Sequence, residues 1–262
     1  MHGTGIVIHS TAVIHPAARL GSRVSVGAYS VIGEHVEIGD DSSVGPHVVI
    51  GGHTRIGREN RIFQFSSIGE IPQDKKYAGE PTRLEIGERN TIREFCTLNL
   101  GTAQDSGVTR IGSDNWIMAY VHVAHDCQVG DKTIFANNAQ LAGHVSVGDF
   151  AILGGFTAVH QFVRIGAHSM TGIGTTLLQD LPPYVTAAGN AARPYGINAE
   201  GLKRRGFPPE AIAAIKRAYR LVFRSAMSLQ EAIEAVRGEA ATHAELLPFA
   251  DFLAAEGRGI LR

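Results

Sequence analysis

Residues 121 to 130 read VHVAHDCQVG. His122 and His125 stand three apart, and Asp126 follows directly. A neutral imidazole can take a proton from a hydroxyl near pH 7, and a neighbouring carboxylate fixes which ring nitrogen carries the hydrogen. The same residue types can ligate zinc if further ligands complete a tetrahedron. They also serve ordinary solvated turns. The backbone that carries them decides among these readings.

That backbone has a period of six. From Ile8 the aliphatics Ile14, Leu20, Val26, Ile32, Ile38, Val44, Ile50, Ile56, Ile62 and Ile68 follow in unbroken phase. Glycine commonly comes next, as at Gly21, Gly27, Gly33, Gly39 and Gly45. Helices need apolar spacings of three and four, and strands alternate by two. Six fits a short strand and a tight turn, repeated, which is the hexapeptide signature of a parallel β-helix. Three hexapeptides close one triangular coil, with the aliphatics stacked inside. The phase resumes at Ile86, Ile92 and Leu98, slips by one, and runs again from Ile111 to Ile165.

Two polar segments interrupt the repeat, near 70–85 (EIPQDKKYAGEPTRLE) and 101–110 (GTAQDSGVTR). Loops that leave a rigid solenoid are where function concentrates. The phase fades after about residue 178, and LPPYVTAAGNAARPYGIN reads as a linker. Helices are expected beyond it. PPEAIAAIKRAYRLVFRSA opens on prolines and an acidic residue, with Ile212, Ile215, Tyr219, Val222 and Ala226 on one face. SLQEAIEAVRG has Ser228 and Glu231 at capping-box spacing, and HAELLPFADFLAAEGRG is a third helix, interrupted at Pro248. The expected fold is mainly β: a left-handed parallel β-helix over 1–190 and a small α-helical domain over 191–262.

Composition narrows the function classes. Lys and Arg number 24 against 25 Asp and Glu, for a formal net charge of -1, so no nucleic-acid partner is expected. Cys96 and Cys127 form neither a disulfide framework nor a CxxC metal pair, which suits a reducing compartment. No apolar run approaches the roughly 18 residues of a membrane span, and the N-terminus has no signal-peptide pattern. A cytoplasmic protein with no transmembrane segment is expected.

With about 18 residues per coil, residues that far apart lie one above the other. His125 then stacks on Gly143, Asp126 on His144, and Ala142 on His160. Four of the 12 histidines, His122, His125, His144 and His160, gather at one corner. As a base, His125 would be oriented by Asp126, and the bare Gly143 N–H would face a developing oxyanion. A zinc centre shared between subunits and a set of solvated turn histidines both remain open on spacing alone.

The motifs HVVIGGHTRIGREN, QDKKYAGEPTR, AHDCQVG, NNAQLAGHVSVGDFAILGGFTAVHQF, DLPPYV and INAEGLKRRGF resemble the acyl-ACP:UDP-N-acetylglucosamine O-acyltransferases that begin lipid A synthesis. The resemblance covers essentially the whole chain. It implies a homotrimer that moves a (3R)-3-hydroxyacyl chain from acyl carrier protein to the 3-position of UDP-N-acetylglucosamine, with no cofactor and no metal. By residue, it implies His125 as general base, Asp126 as its orienting carboxylate and Gly143 as oxyanion donor. Asp74, Lys76, His122, His144, His160 and Gln161 would surround the sugar and acyl groups. Asn198, Glu200, Arg204 and Arg205 would serve the nucleotide, and Ile173 would limit acyl length where long-chain members have glycine. Two departures stand out: Leu100 replaces a customary arginine and Ala191 a frequent histidine. They leave open a 3-amino sugar as acceptor, which would give an amide by the same chemistry. A zinc hydratase on the same solenoid is the more distant alternative. The arginines Arg217, Arg220 and Arg224 form a stripe that could dock an acidic carrier.

Overall fold

The computed structural model describes residues 5–262. Its strands are mostly two residues long and form three sheets of 11, 9 and 8 strands, parallel except for the last strand of the first, which make the faces of a triangular prism. This is the expected left-handed parallel β-helix. The period-six aliphatics point inward: Ile32, Ile50, Ile68, Ile92, Leu98, Ile117, Phe135, Leu141 and Leu153 are all fully buried. Ile8, at the open end of the first coil, is 46% exposed, because stacking covers an aliphatic only where a coil lies on each side.

Each coil repeats after 18 residues, as in Arg61 on Ser43 and His122 on Gln140. Two coils are longer. Ile62 pairs with Ile92, and Ile92 with Ile117, so the insertions loop outward without disturbing the ladder. Pairing is regained at Arg83 and again at Val108, earlier than the sequence suggested, which leaves 71–82 and 100–107 as the loops. Buried side-chain amides tie the turns between coils. Asn90 donates to the carbonyl of Gly112 at 2.9 Å and to Asn60 Oδ1 at 3.0 Å, and accepts from the Asn115 N–H at 2.9 Å.

The corners require left-handed backbone, and non-glycine residues occupy most of these positions, among them Asp126 (φ 59), His144 (φ 63) and Phe162 (φ 64). Such residues are strained locally, so the stacked coils must hold them there. Stacking also aligns side chains. One corner carries a column of Tyr29, His47, Phe65, Phe95 and Tyr120, with ring centroids 4.8–5.1 Å apart.

The segment read as a linker is instead an antiparallel hairpin. Val185–Ala188 joins the first sheet and pairs with Arg193–Ile197. The expected boundary at 190 therefore falls in the turn of this hairpin, and helix begins only at α1, Ala199–Arg204. The amphipathic helix α2 spans Pro209–Arg224 and buries Ile215, Tyr219 and Val222. Ala226 lies beyond its end, because Ser225 turns to extended backbone. Helix α3, Leu229–Ala240, has the expected capping box between Ser228 and Glu231. Pro248 does not interrupt the last helix. It sits in the first turn of α4, Leu247–Ala254, where its missing N–H costs no hydrogen bond. The arginine stripe is divided: Arg217 pairs with Glu239 at 3.2 Å, and Arg224 lies over the Tyr219 ring.

An aromatic column docks the helices onto the last coils. His168 stacks on Phe150 at 4.7 Å and on Tyr184 at 5.8 Å, with Phe207 edge-on at 5.1 Å. Burial, with Arg205 nearby, pushes its imidazole down to about 4. A histidine held neutral in the fold binds a proton more readily once unfolded, so its contribution is present above the unfolded value of about 6.5 and is lost as pH falls toward the folded value. The melting temperature of the wild type should therefore fall as pH drops from about 6.5 to 4, and His168→Phe should flatten that part of the profile. Parallel profiles in differential scanning calorimetry would remove His168 as the cause.

Candidate active site

The stacked histidines meet at the corner between the second and third sheets. Strand His122–Val123 belongs to one sheet and Gln128–Val129 to the next, so residues 124–127 form the turn. The left-handed backbone at Asp126 aims its carboxylate back toward loop 100–107. There it accepts from the Thr102 N–H at 3.0 Å, the Thr102 hydroxyl at 2.6 Å and His125 Nδ1 at 2.9 Å. Its own N–H donates to Thr109 Oγ1 at 2.8 Å. The Asp126 side chain is wholly buried. Burial opposes its charge, yet the hydrogen bonds from His125 and Thr102 hold the carboxyl below the usual carboxylate range. An ionised Asp126 can only accept, so His125 carries its hydrogen on Nδ1 and presents the Nε2 lone pair.

The coil above supplies the other half of the site. A Cβ on Gly143 would fall 2.5–2.6 Å from His125 Cε1 and Nε2, so only glycine allows the imidazole its place. Among the described residues nothing accepts from the Gly143 N–H. It is a free donor beside the basic nitrogen, in the arrangement that stabilises an oxyanion. The groove in front, about 480 Å³, is lined by Gln73, His122, His125, Gly143, His160 and Leu178 among others. His122 Nδ1 shares a hydrogen with Thr97 Oγ1 at 2.7 Å, and burial, with His125 close by, lowers its affinity for a proton. His144 stands edge-on to His125 at 5.0 Å and stacks on Phe162 at 4.3 Å.

His125, Asp126 and His144 place possible ligand atoms within 4.8 Å of one another. The carboxylate is spent on three donors, and each imidazole commits Nδ1 to a carboxylate, His125 to Asp126 and His144 to Asp105. The donor set thus forms imidazole–carboxylate pairs rather than a cage. Burial pushes both cysteine thiols up to about 12, which removes them as nucleophiles near neutral pH.

The remaining expected residues divide into three groups. Asp74 turns inward to cap the Lys76 N–H at 2.9 Å, Lys76 is exposed, and it is the neighbouring Gln73 that lines the groove. His160 lines the groove and Gln161 lies exposed beside it. Ile173 is 78% exposed at the turn before the strand that carries Thr176, on the sheet that forms the groove floor.

The third group gathers elsewhere. Asn198 caps α1 by accepting from the Gly201 N–H at 3.1 Å, and Glu200 pairs with Lys203 at 2.8 Å. Arg205 donates to the Phe150 carbonyl at 3.0 Å, while its buried Nη1 has no partner. Phe150 lies at the corner between the third and first sheets, so this cluster and His125 do not share a groove within one chain. Leu100 is buried and packs over Gly52, which places it in the core rather than the groove. Ala191 is exposed in the hairpin turn. Thr102 and Asp105 went unnoticed in the sequence because an insertion loop has no 18-residue register.

Comparison with known proteins bears on the whole chain. Residues 109–143 match the family model for bacterial transferase hexapeptide repeats, and residues 180–261 match the model for domain 2 of UDP-N-acetylglucosamine O-acyltransferase. The acyl-[acyl-carrier-protein]–UDP-N-acetylglucosamine O-acyltransferase of Thiobacillus denitrificans is 66% identical over 97% of this chain and 99% of its own. The solved structure of LpxA from Acinetobacter baumannii superposes with a TM-score of 0.96 at 47% identity, covering 98% of this chain and 100% of that one. The UDP-N-acetylglucosamine O-acyltransferase of Moraxella catarrhalis gives 0.96 at 44% identity, over 97% and 99%. A hexapeptide solenoid, a His–Asp pair facing a bare glycine N–H, and relatives this similar over their full length agree: the chain belongs to the acyl-[acyl-carrier-protein]–UDP-N-acetylglucosamine O-acyltransferase family.

Proposed function

We propose that this chain transfers a (3R)-3-hydroxyacyl group from acyl carrier protein to the 3-hydroxyl of UDP-N-acetylglucosamine, the first step of lipid A synthesis, as a cytoplasmic homotrimer. The observation that carries the reading is His125, held by buried Asp126, opposite the unpaired Gly143 N–H. His125 Nε2 removes the hydroxyl proton as the sugar oxygen attacks the thioester carbonyl. The carbonyl π pair moves onto oxygen, where the Gly143 N–H stabilises it. Collapse of the tetrahedral intermediate expels the carrier thiolate, and the imidazolium returns its proton to that sulfur. Base and acid roles fall to one group, whose two protonation states exchange within a turnover.

The nucleotide comes from the other cluster. An arginine with a buried, unpartnered nitrogen suits a diphosphate oxygen, and Arg204 adds a second guanidinium beside it. Since Arg205 and His125 occupy different corners, a neighbouring subunit would bring them together, which supports the trimer. Asp74, Lys76, His122, His144, His160 and Gln161 then complete the sugar and acyl surroundings. Among the described residues, no helix is long and apolar enough to cross a membrane. With Arg217 tied to Glu239, Lys216 and Arg220 remain for an acidic carrier to meet.

His125→Ala should lower kcat by about 10²–10⁴ and leave the circular dichroism unchanged, since position 125 is outside the aliphatic phase. Co-expressed with Arg205→Ala, it should regain activity in mixed trimers. A third of wild-type kcat in His125→Ala alone would end the assignment. Ile173 tests acyl length. A branched side chain there fills space that terminal methylenes would occupy, and each methylene denied burial forfeits about 0.8 kcal/mol, so two cost roughly tenfold. Mass spectrometry of products from a thioester panel should show a preference for chains of about ten to twelve carbons, moved toward longer ones by Ile173→Gly. An unmoved profile would clear Ile173 of this role, and an amide in place of an ester would reassign the acceptor.

A further inference from the structure

Loop 100–107 holds two histidines, not one. Thr102 secures the carboxylate that orients His125. Three residues on, Asp105 Oδ2 lies 2.7 Å from His144 Nδ1. The loop itself is closed by a turn in which the Asp105 N–H donates to the Thr102 carbonyl at 3.3 Å. One insertion therefore builds a second imidazole–carboxylate pair beside the first.

The position of His144 gives that pair a consequence. Its ring is stacked on Phe162, set edge-on to His125, and bonded through Nδ1 to Asp105. Its side chain is only 14% exposed, and Nε2 is the one polar atom with no partner among the described residues. A carboxylate accepts and cannot donate, so it assigns the hydrogen to Nδ1 and leaves Nε2 as a lone pair. A ring nitrogen of His144 also lies within 4.8 Å of one of His125. A sugar whose hydroxyl reaches His125 therefore comes close to the His144 ring.

We propose that Asp105 is a positioning residue for the acceptor sugar: it fixes the ring and tautomer of His144 so that Nε2 accepts a hydrogen bond from a donor next to the reacting hydroxyl. This rests on the acyl-transfer reading of the groove. It places Asp105 in binding rather than in proton transfer, so its loss should appear in KM rather than in kcat. A hydrogen bond weakened at a fixed, shielded acceptor is worth about tenfold in affinity.

The test uses Asp105→Asn, which keeps the shape of the loop turn and removes the obligatory acceptor. In the full-length wild type, ¹⁵N spectra of histidine-labelled protein above the imidazolium range should show His144 as the Nδ1–H tautomer, its signal assigned by its loss in His144→Gln. In Asp105→Asn the tautomers should mix, KM for UDP-N-acetylglucosamine should rise about tenfold, and kcat should stay within about threefold. An unchanged tautomer or an unchanged KM in Asp105→Asn overturns the proposal. The spectrum is read on the free protein, so it judges Asp105 separately from the reaction. A wild type that acylates no UDP-N-acetylglucosamine would instead overturn the acyl-transfer reading.

Discussion

A buried negative charge organises this molecule's chemistry. Asp126 has no solvent to stabilise it, and an unpaired carboxylate in that position would cost several kcal/mol. Three donors offset the cost, two of them from Thr102 and the third from His125. Because the carboxylate must be satisfied, the imidazole has no freedom of tautomer. The orientation of the base thus follows from the desolvation of its partner. Glycine at 143 is the matching constraint, since any Cβ there would collide with the ring so held.

The solenoid makes such placement possible at low side-chain cost. Its coils share one backbone path, so a residue's height and corner are fixed by its place in the repeat. Strain at the left-handed corners is distributed along the prism and held by inward aliphatics and buried amides such as Asn60, Asn90 and Asn115. Function departs from the repeat where the chain does. Loop 71–82 sends Gln73 to the groove, and loop 100–107 supplies Thr102 to Asp126 and Asp105 to His144. The prism provides a rigid frame, and the insertions add the hydrogen bonds that the repeat cannot encode.

The contrast between what the sequence revealed and what it hid follows the same division. Period six and the 18-residue stack placed His125 under Gly143 and His144 near Asp126 before any coordinates, because a solenoid converts sequence distance directly into height. The hairpin Val185–Ala188 with Arg193–Ile197 looked like a linker because its Pro, Gly and Ala residues carry no alternation, and pairing with the last coil decides its conformation. Pro248 looked like a break because composition alone does not say whether a proline stands at a helix start or in its middle. Asp105 and Thr102 were silent because their partners lie 39 and 24 residues away, outside any period.

The pH dependence of kcat/KM for Asp126→Asn tests directly whether a buried ionised carboxylate sets the state of the base. Asparagine fills the same space but can donate to His125 Nδ1, which would move the hydrogen to Nε2 and spoil the lone pair. In this variant kcat should be lower by about 10² or more at every pH, with KM for UDP-N-acetylglucosamine within a few-fold of wild type and the melting temperature little changed. Near-wild-type turnover in Asp126→Asn would contradict it, because His125 would then be oriented by something other than this charge.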